Sequence, residues 1–367
     1  MALTKVDTSM VESSGAFGRR NILINGDFGI YQRAQQVTGI GANASTYYTA
    51  DRWKLDMGGS NSGRVTMTAG TEAAPAESNV TTSLKLDCTT ADTSIGAGEY
   101  FILLQQIEGQ NLQQFKKGTS GAKEFTVSFW VKSESTSHTY VVELYDSDNG
   151  RQISKTFAVT SSWSKVELTF PADTTGAFGN DANASLNVAI WLHAGSEYTG
   201  GTLNSSAWAA QTPANRAAGI SSFMSSTSNE LYITAVQLEV GDTATEFEIL
   251  SYPERLTLCK RYYEEMGKSG VAYERFAVGW TTSTVGSFAV FYDVEKRGIP
   301  SVDISDVGHF NVYTTNGVTT GTGQSVTDLA TNSYNQNITG ISSTAGFGAM
   351  LIRDATDAAR IKIDAEL

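Results

Sequence analysis

The stretch EFTVSFWVKS, Glu124 to Ser133, decides the fold. Phe125, Val127, Phe129 and Val131 recur at every second position, the spacing that places side chains on one face of a β-strand. Working outward in both directions, similar short runs stand between clusters of Gly, Asn, Asp, Ser and Thr: NILING from Asn21, DRWKLDM from Asp51, SLKLDC from Ser83, TYVVELYD from Thr139, WSKVELTF from Trp163, LNVAIWLH from Leu186 and ELYITAVQLE from Glu230. These are enough strands for two packed sheets, so residues 21–250 are expected to form a β-sandwich. The segment Gly195–Phe223 is rich in Gly, Ser, Ala and Thr, has no clear period, and reads as a long loop.

Strand alternation also sorts side chains between faces. With Phe125, Val127, Phe129 and Val131 inside, Trp130 falls on the opposite side beside Thr126, Ser128 and Lys132. In LNVAIWLH the same logic buries Val188, Ile190 and Leu192 and turns Trp191 and His193 outward. In TYVVELYD it buries Tyr140, Val142 and Leu144 and turns Glu143 and Tyr145 outward. Trp53, in register with Leu55 and Met57, reads as core. Aromatic rings facing out of a sheet suit the apolar CH faces of sugars, and polar neighbours suit their hydroxyls. Trp130, Trp191 and Tyr145, with His193 and Glu143 as polar neighbours, are therefore the candidate glycan contacts.

After Leu250 the period changes. In SYPERLTLCKRYYEEMG, Leu256, Cys259, Tyr263 and Met266 form a helical stripe, Pro253 suits a first turn and Gly267 a stop. A linker helix is expected over residues 251–267, and the short β runs that follow predict a smaller β domain over 268–367. Residues 1–20 have no sustained period and read as a peripheral arm.

Composition narrows the function. Charged residues make up 17% of the chain against about 25% in ordinary globular proteins. The formal charge of -12 disfavours nucleic acid, which is bound through Lys and Arg patches. Cys88 and Cys259 are too far apart in sequence to suggest a disulfide framework. No run is apolar enough for a signal peptide or a membrane span, so the chain is expected to be made in a cytoplasm and not to enter a membrane. The chain has three histidines, His138, His193 and His309, and none lies in a nucleophile-elbow or metal-ligand spacing. No pair of carboxylates is singled out for glycoside hydrolysis, so no catalytic residue is assigned and the chain is not expected to be an enzyme. Asp146-Ser147-Asp148-Asn149-Gly150 begins like a calcium loop but lacks the later ligands, and reads as a hairpin turn.

The opening NILINGDFGIYQR with YTADRW, the internal FTVSFWVKS, the closing LYITAVQLEVGDTATEFE and the following ERLTLCKRYYE together resemble a group of tailed-bacteriophage tail-fibre and appendage proteins. The resemblance covers roughly residues 20–300. It implies an all-β chain in which a jelly-roll sandwich similar to carbohydrate-binding modules is followed by a short helix and a distal β domain. It further implies an N-terminal arm that docks on a virion tail or capsid protein, a homotrimer, and attachment to a glycan of the bacterial surface. Jelly-roll carbohydrate modules often hold a structural calcium, which here would fall near Asp27 and Glu239; no other cofactor is implied. The rival readings are a capsid or tail decoration protein with no receptor of its own, and a polysaccharide depolymerase on the same scaffold.

Overall fold

Alternating runs become antiparallel ladders in the computed structural model, which describes residues 19–41, 43–70, 74–134, 137–268, 271–355 and 358–367. Residues 1–18 of the expected arm lie outside the described residues. The chain divides into two units, one comprising the residues up to Ser251 together with Leu367, the other Tyr252–Glu366.

The first unit is a β-sandwich. One sheet has six strands in the order β1 (Gln36–Gly41), β4 (Arg64–Ala69), β5 (Leu84–Thr90), β13 (Glu230–Val240), β7 (Phe125–Ser133) and β10 (Ser164–Phe170). The other has seven: β12 (Ala209–Ala210), β9 (Arg151–Val159), β8 (His138–Asp146), β11 (Ala184–Ala194), β6 (Tyr100–Glu108), β3 (Lys54–Gly58) and β2 (Ser45–Tyr47). Phe125, Val127, Phe129 and Val131 meet Tyr140, Val142, Leu144, Val188, Ile190 and Leu192 in one apolar cluster, with Trp53 fully buried among them. The inward positions read from the sequence are thus the core. The turn Ser147–Gly150 joins β8 to β9, with Asp146 paired to Arg151, and is the expected hairpin.

One irregularity in this ladder matters for the site. Strands β13 and β7 pair at Thr234 with Trp130 and again at Gln237 with Ser128, so Ala235 and Val236 together stand opposite the single Phe129, one residue more than the ladder needs. Ala235 takes a positive φ of 52°, unfavourable for a residue with a Cβ. The Val236 N–H leaves the sheet and donates to the carbonyl of Gly26 at 2.9 Å. A Cβ on Gly26 would stand 2.0 Å from the Val236 carbonyl oxygen, and both atoms belong to backbone held by neighbours. Gly26→Ala is therefore expected to cost about 1–3 kcal/mol through overpacking, seen as a lower urea midpoint at constant m; an unchanged midpoint would mean that the bulge yields freely.

In the second unit the sequence reading needs correction. The helix spans Tyr252–Lys260 and does not reach Gly267. Tyr263–Met266 instead forms β14, which ladders with β23 (Ile361–Asp364), and β23 in turn with β17 (Ser301–Ile304). Tyr263 opens this strand, and it and the preceding Tyr262 are both buried. Glu264 enters the interior with the Lys296 ammonium 2.6 Å away, fixing the strand. The second sheet of this unit has seven antiparallel strands in the order β19 (Gly317–Thr320), β18 (Phe310–Thr314), β22 (Gly348–Arg353), β15 (Arg275–Thr281), β16 (Val285–Phe291), β21 (Ser333–Thr339) and β20 (Gly323–Thr327). Phe288, Val290, Phe310, Val312 and Leu351 from it share a core with Ile361 and Ile363 of the smaller sheet.

Candidate glycan-binding faces of the sandwich

The two outer faces of the sandwich carry the expected contacts, and the structure treats them differently. On the seven-stranded side, Trp191, Glu143 and His193 do point away from the main core, yet all three are 0% exposed. The expectation that they face solvent is overturned, because the segment after β11 folds back over this face. Leu203, Ala217 and Ile220 pack onto Trp191, Val141 and Ile102 in a second apolar cluster. Tyr198 brings its ring to 5.3 Å from that of Trp191, and the Arg216 guanidinium lies 4.7 Å over the indole.

Polar groups under this cover are paired. Trp191 Nε1 donates to Glu143 Oε2 at 2.9 Å, and Arg216 donates to both Glu143 oxygens at 2.8 and 2.7 Å. Burial works against the Arg216 charge, but the facing Glu143 carboxylate outweighs it and holds the guanidinium pKa above its ordinary value. His193 Nδ1 lies 2.7 Å from Ser222 Oγ. Burial lowers the His193 pKa despite the carboxylates of Glu99 and Asp92, so the imidazole is neutral at pH 7 and acts as a tie for the returning segment. Tyr145 alone of this group stays half-exposed, with Arg216 5.4 Å from its ring centre.

The six-stranded side is covered only in part: Thr126, Ser128, Thr234 and Gln237 of its outer face are buried, whereas Lys165 and Glu167 on β10 are exposed. Trp130 is half-exposed and stands between its cross-strand partners Lys165 on β10 and Thr234 on β13. Beside it, where the β13 bulge interrupts the ladder, is a cleft of about 190 Å³ lined by Glu77, Ser128, Trp130, Lys165, Thr245 and Phe247, among others. The wall formed by Thr245–Phe247 is held by β13 itself. Gln237 Nε2 donates to Thr245 Oγ1 at 3.1 Å, Gln237 Oε1 accepts from the Glu248 N–H at 2.9 Å, and the Thr245 N–H donates to Glu239 Oε1 at 2.9 Å. Further along the same face, Lys132 lies 5.6 Å from the ring centre of Trp163 and 4.6 Å from that of Tyr232. The cleft has room for a single sugar ring rather than a drug-sized ligand. It combines one aromatic platform, a cation, a carboxylate and hydroxyls, the set that a pyranose needs.

Sequence reasoning found Trp130 but missed Lys165, which the β10–β7 ladder sets across from it, and Thr245 and Phe247, which the chain after β13 brings back against the strand. The signal that was present is EVGDTATEFE: Glu239 is followed at once by a turn that must return the chain against its own strand. A structural calcium was expected near Asp27 and Glu239. Both residues are buried, and both Glu239 oxygens already accept hydrogen bonds, Oε1 from Gln237 and the Thr245 N–H, Oε2 from Thr245 Oγ1. Among the described residues no group of three or more His, Cys, Asp or Glu is arranged to hold a metal. Among the described residues, too, no helix is long and apolar enough to cross a membrane.

No family model and no curated protein matches the chain. Among solved structures it is similar to the enzymatically active domain of tailspike protein 4 of bacteriophage CBA120, at 13% identity and TM-score 0.29, over 60% of this chain and 21% of that one. It is also similar to a CBM4 module, at 13% identity and TM-score 0.30, over 59% of this chain and 97% of that one. A third likeness is to the CBM22-1–GH10 modules of Clostridium thermocellum xylanase 10B, at 11% identity and TM-score 0.31, over 70% of this chain and 32% of that one. The chain thus spans about a fifth of the tailspike domain's length.

Proposed function

We propose that the chain is a glycan-binding attachment subunit of a tailed-phage virion, and that the sugar is bound, not cleaved, in the cleft beside Trp130. The observation that carries this reading is the half-exposed Trp130 ring set in an open cleft with Lys165, Glu77, Ser128 and Thr245 around it. A sugar stacks its CH face on the indole while its hydroxyls exchange water for these polar groups. The motif resemblance along residues 20–300 supplies the biological setting: docking to the particle through the N-terminal arm, assembly as a homotrimer, and a bacterial surface glycan as receptor.

The test is Trp130→Ala on an array of bacterial surface polysaccharides. Affinity is expected to fall by about 1–2 kcal/mol, roughly 5- to 30-fold, with little loss of melting temperature because the ring lies outside the main core. Wild-type protein that binds no polysaccharide, or a variant that binds as well as wild type, would remove the cleft from recognition. Immuno-gold labelling of particles with antibody to this chain separates an attachment subunit at the tail tip from a decoration protein on the head.

A further inference from the structure

The seven-stranded sheet of the second unit presents an outer face with almost no charge. Between Arg275 and Asp293, between Asp306 and Asp328, and between Asp328 and Arg353 the sequence has no Asp, Glu, Lys or Arg. In register, Val318, Tyr313, Met350, Val278 and Ala289 form one straight row across β19, β18, β22, β15 and β16. The row continues into Asn335 on β21 and Thr327 on β20. Val278 is 67% exposed, Val318 52% and Tyr313 44%, and on the same face Phe291 is 66% and Trp280 54% exposed. Isolated exposed apolar side chains are ordinary, but a continuous row across a sheet marks a surface that is covered in use.

The polar half of the face is already paired with itself. Asn335 Nδ2 lies 3.0 Å from Ser287 Oγ and 3.0 Å from Asn337 Oδ1, so covering these groups leaves their mutual hydrogen bonds intact. The occupant is indicated by charge. Copies of a chain with formal charge -12 repel one another unless they meet where no carboxylates are brought together, and this face meets that condition. Flat apolar sheet faces also pack on one another as the two halves of a sandwich do.

We propose that this face is a self-association surface covered by a second copy of the chain. The inference rests on the oligomer in the reading above and not on its glycan cleft. It is tested by sedimentation equilibrium of the whole chain at micromolar concentration, alongside Val278→Asp and Val278→Lys. Wild type is expected at a multiple of the 39.3 kDa chain mass. Both variants are expected to associate at least about tenfold more weakly, since either charge would be buried without a partner, and both should keep the wild-type circular dichroism spectrum because Val278 is exposed in the single chain. A monomeric wild type overturns the proposal and leaves the face to a ligand of another kind. Association that is unchanged in both variants places the contact elsewhere. Association weakened by Asp but strengthened by Lys shows net charge, not this face, to be in control. In none of these cases does polysaccharide binding at Trp130 stand or fall with the result.

Discussion

Replacing Lys117 with methionine is expected to destabilise the sandwich by about 3–5 kcal/mol, the cost of removing one partner from a buried ionic group. The Lys117 ammonium lies 2.5 Å from Asp146 Oδ2 and 3.1 Å from Asp173 Oδ2, and the Lys117 and Asp146 side chains are fully buried. It also donates to the carbonyls of Thr175 and Gly176 at 2.9 and 2.8 Å, and lies 5.2 and 5.4 Å from the ring centres of Phe178 and Trp208. Without it, Arg151 still serves Asp173 at 2.7 Å, but the Asp146 carboxylate keeps only the hydrogen bonds from Asn149 on the β8–β9 turn among the described residues. The measurement is the urea midpoint at constant m, and a midpoint within a few tenths molar of wild type would show that water replaces the ammonium. Acid provides a second check. Burial raises the Asp173 pKa, but hydrogen bonds from Arg151, the Thr175 N–H and Lys117 outweigh this and hold it below the usual carboxylate value. A depressed carboxylate contributes stability that is present above its unfolded pKa of about 3.9 and is lost as pH falls through the folded pKa. The gap between wild type and Lys117→Met should therefore be widest at neutral pH and narrow below about pH 4.

That site also shows what the sequence could and could not disclose. The Asp146–Gly150 turn was legible because turn residues stand between two alternating runs, and the β8–β9 ladder follows from it. The role of Lys117 was not, since a lysine before Gly118 in a polar stretch looks like any solvated loop cation. Core positions such as Phe125, Val127 and Phe129 were legible because period-two spacing has one geometric meaning. The stripe Leu256, Cys259, Tyr263 and Met266 misled because a spacing of three and four fits a single helix as well as a helix followed by a strand. The cleft beside Trp130 depended on a bulge at Ala235, and nothing in ELYITAVQLE marks which residue leaves the ladder.

The outer face bearing Trp191 was misread for a different reason: alternation assigns a side chain to one side of a sheet and says nothing of what covers that side. The covering segment has no period because many of its own backbone bonds are turn bonds, such as Asn215 N–H to Thr212 O at 3.0 Å and Arg216 N–H to Pro213 O at 3.1 Å. A sign was nevertheless present. Arg216 is the only Lys or Arg between Lys165 and Arg255, and an isolated cation in a neutral segment points to a buried carboxylate partner, here Glu143. Trp191→Ala is consequently expected to act on stability and not on recognition. The indole is 0% exposed, packed against Tyr100, Tyr198 and Arg216, and hydrogen-bonded to Glu143. Its truncation should cost about 3–5 kcal/mol through the cavity it leaves and loosen the segment that Arg216 anchors, giving faster amide exchange across residues 198–220. Polysaccharide binding per folded molecule should stay at the wild-type level, in contrast to Trp130→Ala. If Trp191→Ala instead keeps the wild-type melting temperature and loses binding, the covering segment opens in solution and the seven-stranded face, with Tyr145 at its edge, is the receptor surface.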